Sequence, residues 1–295
     1  MEASRPDEPA ERTGRTGSAA DDAAEVEAAA AVGSDVIPER GPAAYVAEFI
    51  GTFALVLFVT LVVSQFGRAP LSAQELAQGA QQPFVDFTVI GLVHVFVLFL
   101  LIQTLAVVSG AHFNPAVTAA LAAIRQIRPI DAAIYIVVQL AGGICGALVT
   151  KLILTKDNFP NADAVNYGAV NVTDNLDQSI PLGMLVEGLG TFFLVWAIVG
   201  VAVNPQAFRE WAGLVIGGTL GLVVMVGAGL TGAGYNPARA FGPDLVSGEW
   251  GGGADEFLLV FVLAPLIGAL LAAFVYFRMF ILPGKKGPFG MGPVG

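Results

Sequence analysis

Charge is scarce in this chain. Asp, Glu, Lys and Arg make up only 13% of its 295 residues, about half the fraction usual in a soluble domain. Histidine is almost missing, with two residues, and there is one cysteine, Cys145. A lone cysteine excludes a disulfide within the chain, so the redox compartment is not readable. Cys145 stands in an apolar stretch and reads as a small hydrophobe. There is no nucleophile–base–acid set, no metal-ligand cluster and no phosphate-binding loop, which argues against an enzyme, a metal site or another cofactor. The net charge of −10 gives no basis for binding nucleic acid. Most of that acidic surplus comes from the N-terminal tail and the loops.

What the chain has instead is apolar length: 55% of it is hydrophobic. Six stretches near twenty residues predict membrane-spanning helices at 43–66, 86–108, 131–155, 182–204, 209–230 and 256–281, each long enough for a hydrocarbon layer of roughly 30 Å. The bilayer is therefore the expected solvent, and the expected fold is an all-α membrane protein. Two shorter apolar segments, Ala116 to Ile124 and Ala238 to Val246, are too short to cross and fit half-helices that dip in and return. Residues 1–40 carry almost no large apolar residue and read as a disordered acidic tail, not as a secretory signal. Residues 283–295 form a Gly/Pro-rich tail. Basic residues near span ends set orientation. Arg40, Arg125, Arg128, Arg209, Arg278, Lys285 and Lys286 fall on one side, against Arg68, Lys156 and a borderline Lys151 on the other. Both termini are then predicted cytoplasmic in a multi-pass cell-membrane protein.

The two halves repeat one another. Glu48-Phe49-Ile50-Gly51-Thr52-Phe53 in the first span answers to Glu187-Gly188-Leu189-Gly190-Thr191-Phe192 in the fourth. Ser109-Gly110-Ala111-His112-Phe113-Asn114-Pro115-Ala116 answers to Thr231-Gly232-Ala233-Gly234-Tyr235-Asn236-Pro237-Ala238. Repeat one covers about 43–155 and repeat two about 182–282. Each holds three spans, an odd number, so the second copy enters the membrane inverted, a common way to build a transport path at the midplane. Asn is a preferred helix N-cap and Pro is favoured at the first helical position, so each Asn-Pro-Ala marks a helix start. In an inverted repeat the two starts meet mid-membrane, each with a partial positive charge of about half an elementary unit. The Asn oxygen caps the helix while its amide can donate into the path. Paired positive ends repel cations and protons. Asp would cap as well but would add an acceptor and a charge.

These residues resemble the aquaporin, or major intrinsic protein, family over roughly 43–282. The resemblance implies six spans plus two re-entrant half-helices, a passive pore in each protomer, and a homotetramer. It implies permeation of water, with ammonia, urea, hydrogen peroxide or glycerol as further small neutral solutes. Asn114, Pro115, Ala116, Asn236, Pro237 and Ala238 would form the pore centre, and His94, Val224, Ala233 and Arg239 an outer constriction. His–Val–Ala–Arg departs from strict water channels and looks more like plant tonoplast intrinsic proteins. Val224 and Ala233 predict a wider, more apolar aperture. Ala240 stands where glycerol facilitators usually carry Asp.

Single residues keep two readings each. His94 either lines the pore or is a core histidine bonded to a backbone carbonyl. His112 either lines the inner vestibule or braces its loop. Glu48 and Glu187 either brace the loops before the half-helices, the reading favoured here, or relay protons. The second choice, joined with His94 or His112, would make the chain a proton-coupled secondary transporter of a small solute. Gly142, Gly143, Gly146, Gly217, Gly218 and Gly221 predict close helix packing.

Overall fold

A computed structural model describes residues 37–67, 87–155 and 159–282. The acidic tail through residue 36 and the segment 283–295 lie outside these, as do Arg68, Lys156, Lys285 and Lys286. The described residues hold helices and no strands, and six helices are long and apolar enough to cross a membrane.

In chain order the principal helices are α1 (Pro42–Phe66), α2 (Phe87–Ser109), α3 (Pro115–Ala123), α4 (Pro129–Ile153), α5 (Ile180–Val203), α6 (Ala212–Thr231), α7 (Pro237–Ser247) and α8 (Ala254–Ile281). A short turn at Arg209–Trp211 leads into α6. Mean hydropathy in the six spans runs from 2.0 to 2.8. Proline marks the first turn of α1, α3, α4, α5 and α7, where its missing N–H loses no helical bond. α3 and α7, nine and eleven residues long, are the two half-helices. At 1.5 Å per residue neither can cross a bilayer.

Packing repeats the internal symmetry. α1 lies on α4 as α5 lies on α8, and α2 lies on α6 between the halves. Each half-helix is exchanged: α3 packs on α8, and α7 packs on α4. Glycine permits these approaches. A Cβ on Gly142 or Gly146 would strike the α1 backbone, and one on Gly217 or Gly221 the α2 backbone. Gly143 and Gly242 bring α4 and α7 together in the same way, and Gly268 brings α8 onto Gly188. Gly218 departs from expectation: it faces open space and closes no contact among the described residues.

Residues 39 and 40, placed in the tail by composition, are tied to the helical body. The Arg40 N–H donates to Asp131 Oδ2 (3.3 Å), and Arg128 pairs with Glu39 (3.1 Å) and Asp131 (2.7 Å). Those two carboxylates, Asp131 first, hold the Arg128 guanidinium protonated beyond its usual range.

Candidate functional site

Each half-helix is entered through a strained turn. Gly110, Ala111 and Phe113 have φ of 90°, 54° and 48°, and Gly232, Ala233 and Tyr235 have φ of 78°, 56° and 49°. Left-handed backbone costs a non-glycine residue roughly 1–2 kcal/mol, so something must hold these turns. In both halves it is the glutamate of the preceding span. Glu48 Oε1 accepts from Ser109 Oγ (2.6 Å) and the His112 N–H (3.0 Å), and Oε2 from the Phe113 N–H (2.7 Å) and Gln139 Nε2 (2.8 Å). Glu187 Oε1 accepts from Thr231 Oγ1 (2.6 Å) and the Gly234 N–H (2.8 Å), and Oε2 from the Tyr235 N–H (2.5 Å). Both side chains are fully buried.

The turns end on the two asparagines. Asn114 Oδ1 accepts from the N–H groups of Ala116 (2.9 Å) and Val117 (3.4 Å), and Asn236 Oδ1 from those of Ala238 (2.9 Å) and Arg239 (3.3 Å). Asn114 Nδ2 then donates to the Tyr235 carbonyl (2.9 Å), and Asn236 Nδ2 to the Phe113 carbonyl (2.8 Å). Each amide thus ties its own half-helix to the turn that begins the other. An amide nitrogen carries two hydrogens, so one donor on each side is left over. Both asparagines border a cavity of about 490 Å³. Pro115, Ala116, Pro237 and Ala238 are buried behind them.

That cavity runs from Arg40 and Arg209, at helix ends on the N-terminal side of α1, past His112 and the asparagines to His94, Ala233 and Arg239. Among the described residues its wall carries three arginines and two histidines but no carboxylate. His94 is buried beside the cavity. Its Nδ1 lies 2.8 Å from the Ile90 carbonyl, which can only accept, so Nδ1 carries the proton; the ring still borders the cavity. His112 likewise lines the wall while its Nδ1 lies 3.2 Å from Thr118 Oγ1. Arg239 is buried, borders the cavity, and donates from Nη1 to the Gly168 carbonyl (2.8 Å).

Val224 is placed differently from His94, Ala233 and Arg239. On α6 the positions Ala212, Ile216 and Leu220 line the cavity at every fourth residue, one helix face. Val224 is next in that row, yet it lies 1% exposed in the apolar cluster beside Ala233 and is not on the wall. Leu220 meets the cavity in its stead. Counting along the sequence also passed over Arg40, Arg209, Gln103 and Gln126 as lining residues. The excess of basic residues on one side was visible, but not which of them turn inward.

The family model for the major intrinsic protein matches residues 40–276. The chain belongs to the major intrinsic protein family. Nodulin-26 of Glycine max is 36% identical over 231 residues, 78% of this chain and 75% of nodulin-26. Glycerol uptake facilitator protein-like 6 of Lactiplantibacillus plantarum is 35% identical, over 78% of this chain and 94% of that protein. The aquaglyceroporin of Plasmodium falciparum shares the fold, with a TM-score of 0.64 at 22% identity, over 81% of this chain and 96% of that one. As a family member the chain is a multi-pass membrane channel for water or small solutes, and not an enzyme.

Proposed function

We propose that this channel conducts water passively, admits small neutral solutes of the size of ammonia, urea, hydrogen peroxide or glycerol, and excludes protons and ions. The observation that carries the reading is the meeting of two Asn-capped half-helices on one cavity whose wall, among the described residues, bears arginines and no carboxylate. Positive helix ends and guanidinium groups oppose cations all along such a path. Pro115, Ala116, Pro237 and Ala238 seat the capped ends, and His94, Ala233 and Arg239 set the size and polarity of the constriction. His112 lines the vestibule on the Arg40 side. Glu48 and Glu187 brace the turns. Each of their oxygens accepts a backbone N–H from the turn that leads into a half-helix, the arrangement a brace requires. Arg40, Arg125, Arg128, Arg209 and Arg278 against Lys151 support cytoplasmic termini in a cell membrane. Four copies would each carry a pore.

Stopped-flow light scattering on proteoliposomes tests this. The expected result is fast shrinkage with a low activation energy and no proton flux. Arg239→Val is expected to raise glycerol permeability relative to water roughly fivefold or more, the scale of one lost buried hydrogen bond. An unchanged ratio would remove Arg239 from the constriction. Saturable uptake that collapses with the proton gradient would overturn the channel mechanism.

Mercury gives a second prediction. The lone thiol, Cys145, is half-buried on α4 and is not on the cavity wall, while the wall position before the second half-helix is Ala233. Inhibition by mercuric chloride should be weak. Strong block that Cys145→Ala abolishes would contradict this.

A further inference from the structure

A buried arginine in a membrane protein needs partners that fix its position and balance its charge. Arg239 is 4% exposed. The one hydrogen-bond acceptor of its guanidinium among the described residues, the Gly168 carbonyl, lies in a turn, Asn166–Gly168, whose three residues have φ of 51°, 52° and 81°. Such a turn cannot place its carbonyl reliably by itself. The strand-like stretch that follows is pinned by two acids. The Val170 N–H donates to Asp244 Oδ1 (3.0 Å), and the Val172 N–H donates to Glu256 Oε1 (2.9 Å). Tyr167, Gly168, Val170 and Val172 are all buried.

Asp244 has a second relation to Arg239. Both stand on α7, and the carboxylates whose fields reach the guanidinium are those of Asp244 and Glu187. Glu187 is occupied by Thr231, Gly234 and Tyr235. Asp244 is 1% exposed and, among the described residues, keeps Oδ2 without a hydrogen bond, as Arg239 keeps Nε. Each group thus keeps one buried polar atom uncommitted among the described residues, five positions apart on the same helix.

We propose that Asp244 is a positioning residue that sets the selectivity of the constriction. It balances the Arg239 charge along α7, and by pinning Val170 it holds the Gly168 carbonyl that fixes the guanidinium at the cavity wall. Glu256 is the second pin of the same stretch. The inference rests on the reading of Arg239 as a constriction residue. Asp244 itself does not border the cavity.

The full chain in proteoliposomes tests it, with glycerol-to-water permeability ratio and thermal unfolding midpoint as readouts. Asp244→Ala removes both pin and charge, and is expected to raise the ratio roughly fivefold, approaching that of Arg239→Val. Asp244→Asn keeps an acceptor for Val170 without the charge and should give an intermediate shift. Glu256→Gln keeps its acceptor and should leave the ratio near wild type. On an Arg239→Val background Asp244→Ala should shift the ratio no further, because the group it positions is gone; a purely structural role would lower the unfolding midpoint in both backgrounds and leave both ratios alone. A folded Asp244→Ala channel with the wild-type ratio overturns the proposal, and so does an equal shift on both backgrounds. If Asp244→Ala does not fold, Asp244→Asn carries the same comparison. Should Arg239→Val itself leave the ratio unchanged, the constriction reading fails and the inference falls with it, an outcome distinct from Arg239 mattering and Asp244 not.

Discussion

Glu48→Leu should abolish recovery of the folded channel, while Glu48→Gln should yield a reduced amount of protein with near-normal permeability per molecule. The argument is local. Glu48 takes four hydrogen bonds, two of them from the backbone of the left-handed turn before α3. Ser109 Oγ can rotate, and Gln139 Nε2 also reaches Thr118 Oγ1 at 2.9 Å. The N–H groups of His112 and Phe113 have no other acceptor among the described residues. Each buried donor left unpaired costs about 1–3 kcal/mol, so two cost about 4 kcal/mol before the strain of Ala111 and Phe113 is counted. That is a large part of the roughly 5–15 kcal/mol that holds a typical domain folded. Gln restores an acceptor oxygen but turns an amide toward a donor, so about half the loss remains. The measurement is monodisperse yield and unfolding midpoint in detergent, followed by water permeability per folded molecule. A Glu48→Gln protein that folds at wild-type yield yet conducts nothing would mean the carboxylate acts in transport and not as a brace. Glu187→Leu and Glu187→Gln should repeat the pattern, since Glu187 makes the matching bonds in the inverted half.

That symmetry explains which parts of the molecule were legible beforehand. The six spans and two half-helices follow from apolar length and from Pro and Asn at helix starts, both local properties, and the observed ends fall within about two residues of those read from the chain. The two glutamates were visible because the repeat places them at equivalent positions. That they would accept backbone N–H groups of those loops was an expectation; which N–H groups they meet was not visible, since that depends on turns in which alanine, phenylalanine and tyrosine adopt left-handed backbone. Propensity opposes that conformation, and tertiary bonds impose it. Val224 shows another limit. The family resemblance points to the right helix face, but the level at which the cavity opens depends on how α6 sits against α2, where Gly217 and Gly221 approach Val95 and Gly91. Asp244 and Glu256 were not legible at all. Their partners are backbone N–H groups 74 and 84 residues away, and nothing in the local sequence marks them.

The asparagine pair yields the other large effect. Asn114→Asp and Asn236→Asp should each fold and each fail as selective channels. Aspartate caps a helix as well as asparagine, so the bonds to Ala116 and Val117, or to Ala238 and Arg239, survive. The cross-tie does not. Where Nδ2 now donates to the Tyr235 or Phe113 carbonyl at 2.9 or 2.8 Å, a carboxylate oxygen would face a carbonyl oxygen, and acceptor would meet acceptor. One hydrogen bond of about 1 kcal/mol is lost and a repulsion is added, so water permeability should fall roughly fivefold or more. Selectivity should suffer in the opposite sense. The helix end presents about half a positive charge to the cavity; a full negative charge at its cap reverses the sign where the wall has no other acid among the described residues. Proteoliposomes bearing either variant should therefore leak protons or sodium, measured with a pH-sensitive dye and by reversal potentials in planar bilayers, and those bearing the native chain should not. Tight exclusion of cations by both variants would show that Arg239, Arg40 and Arg209 suffice as the barrier, and that the asparagines serve only to join the two halves.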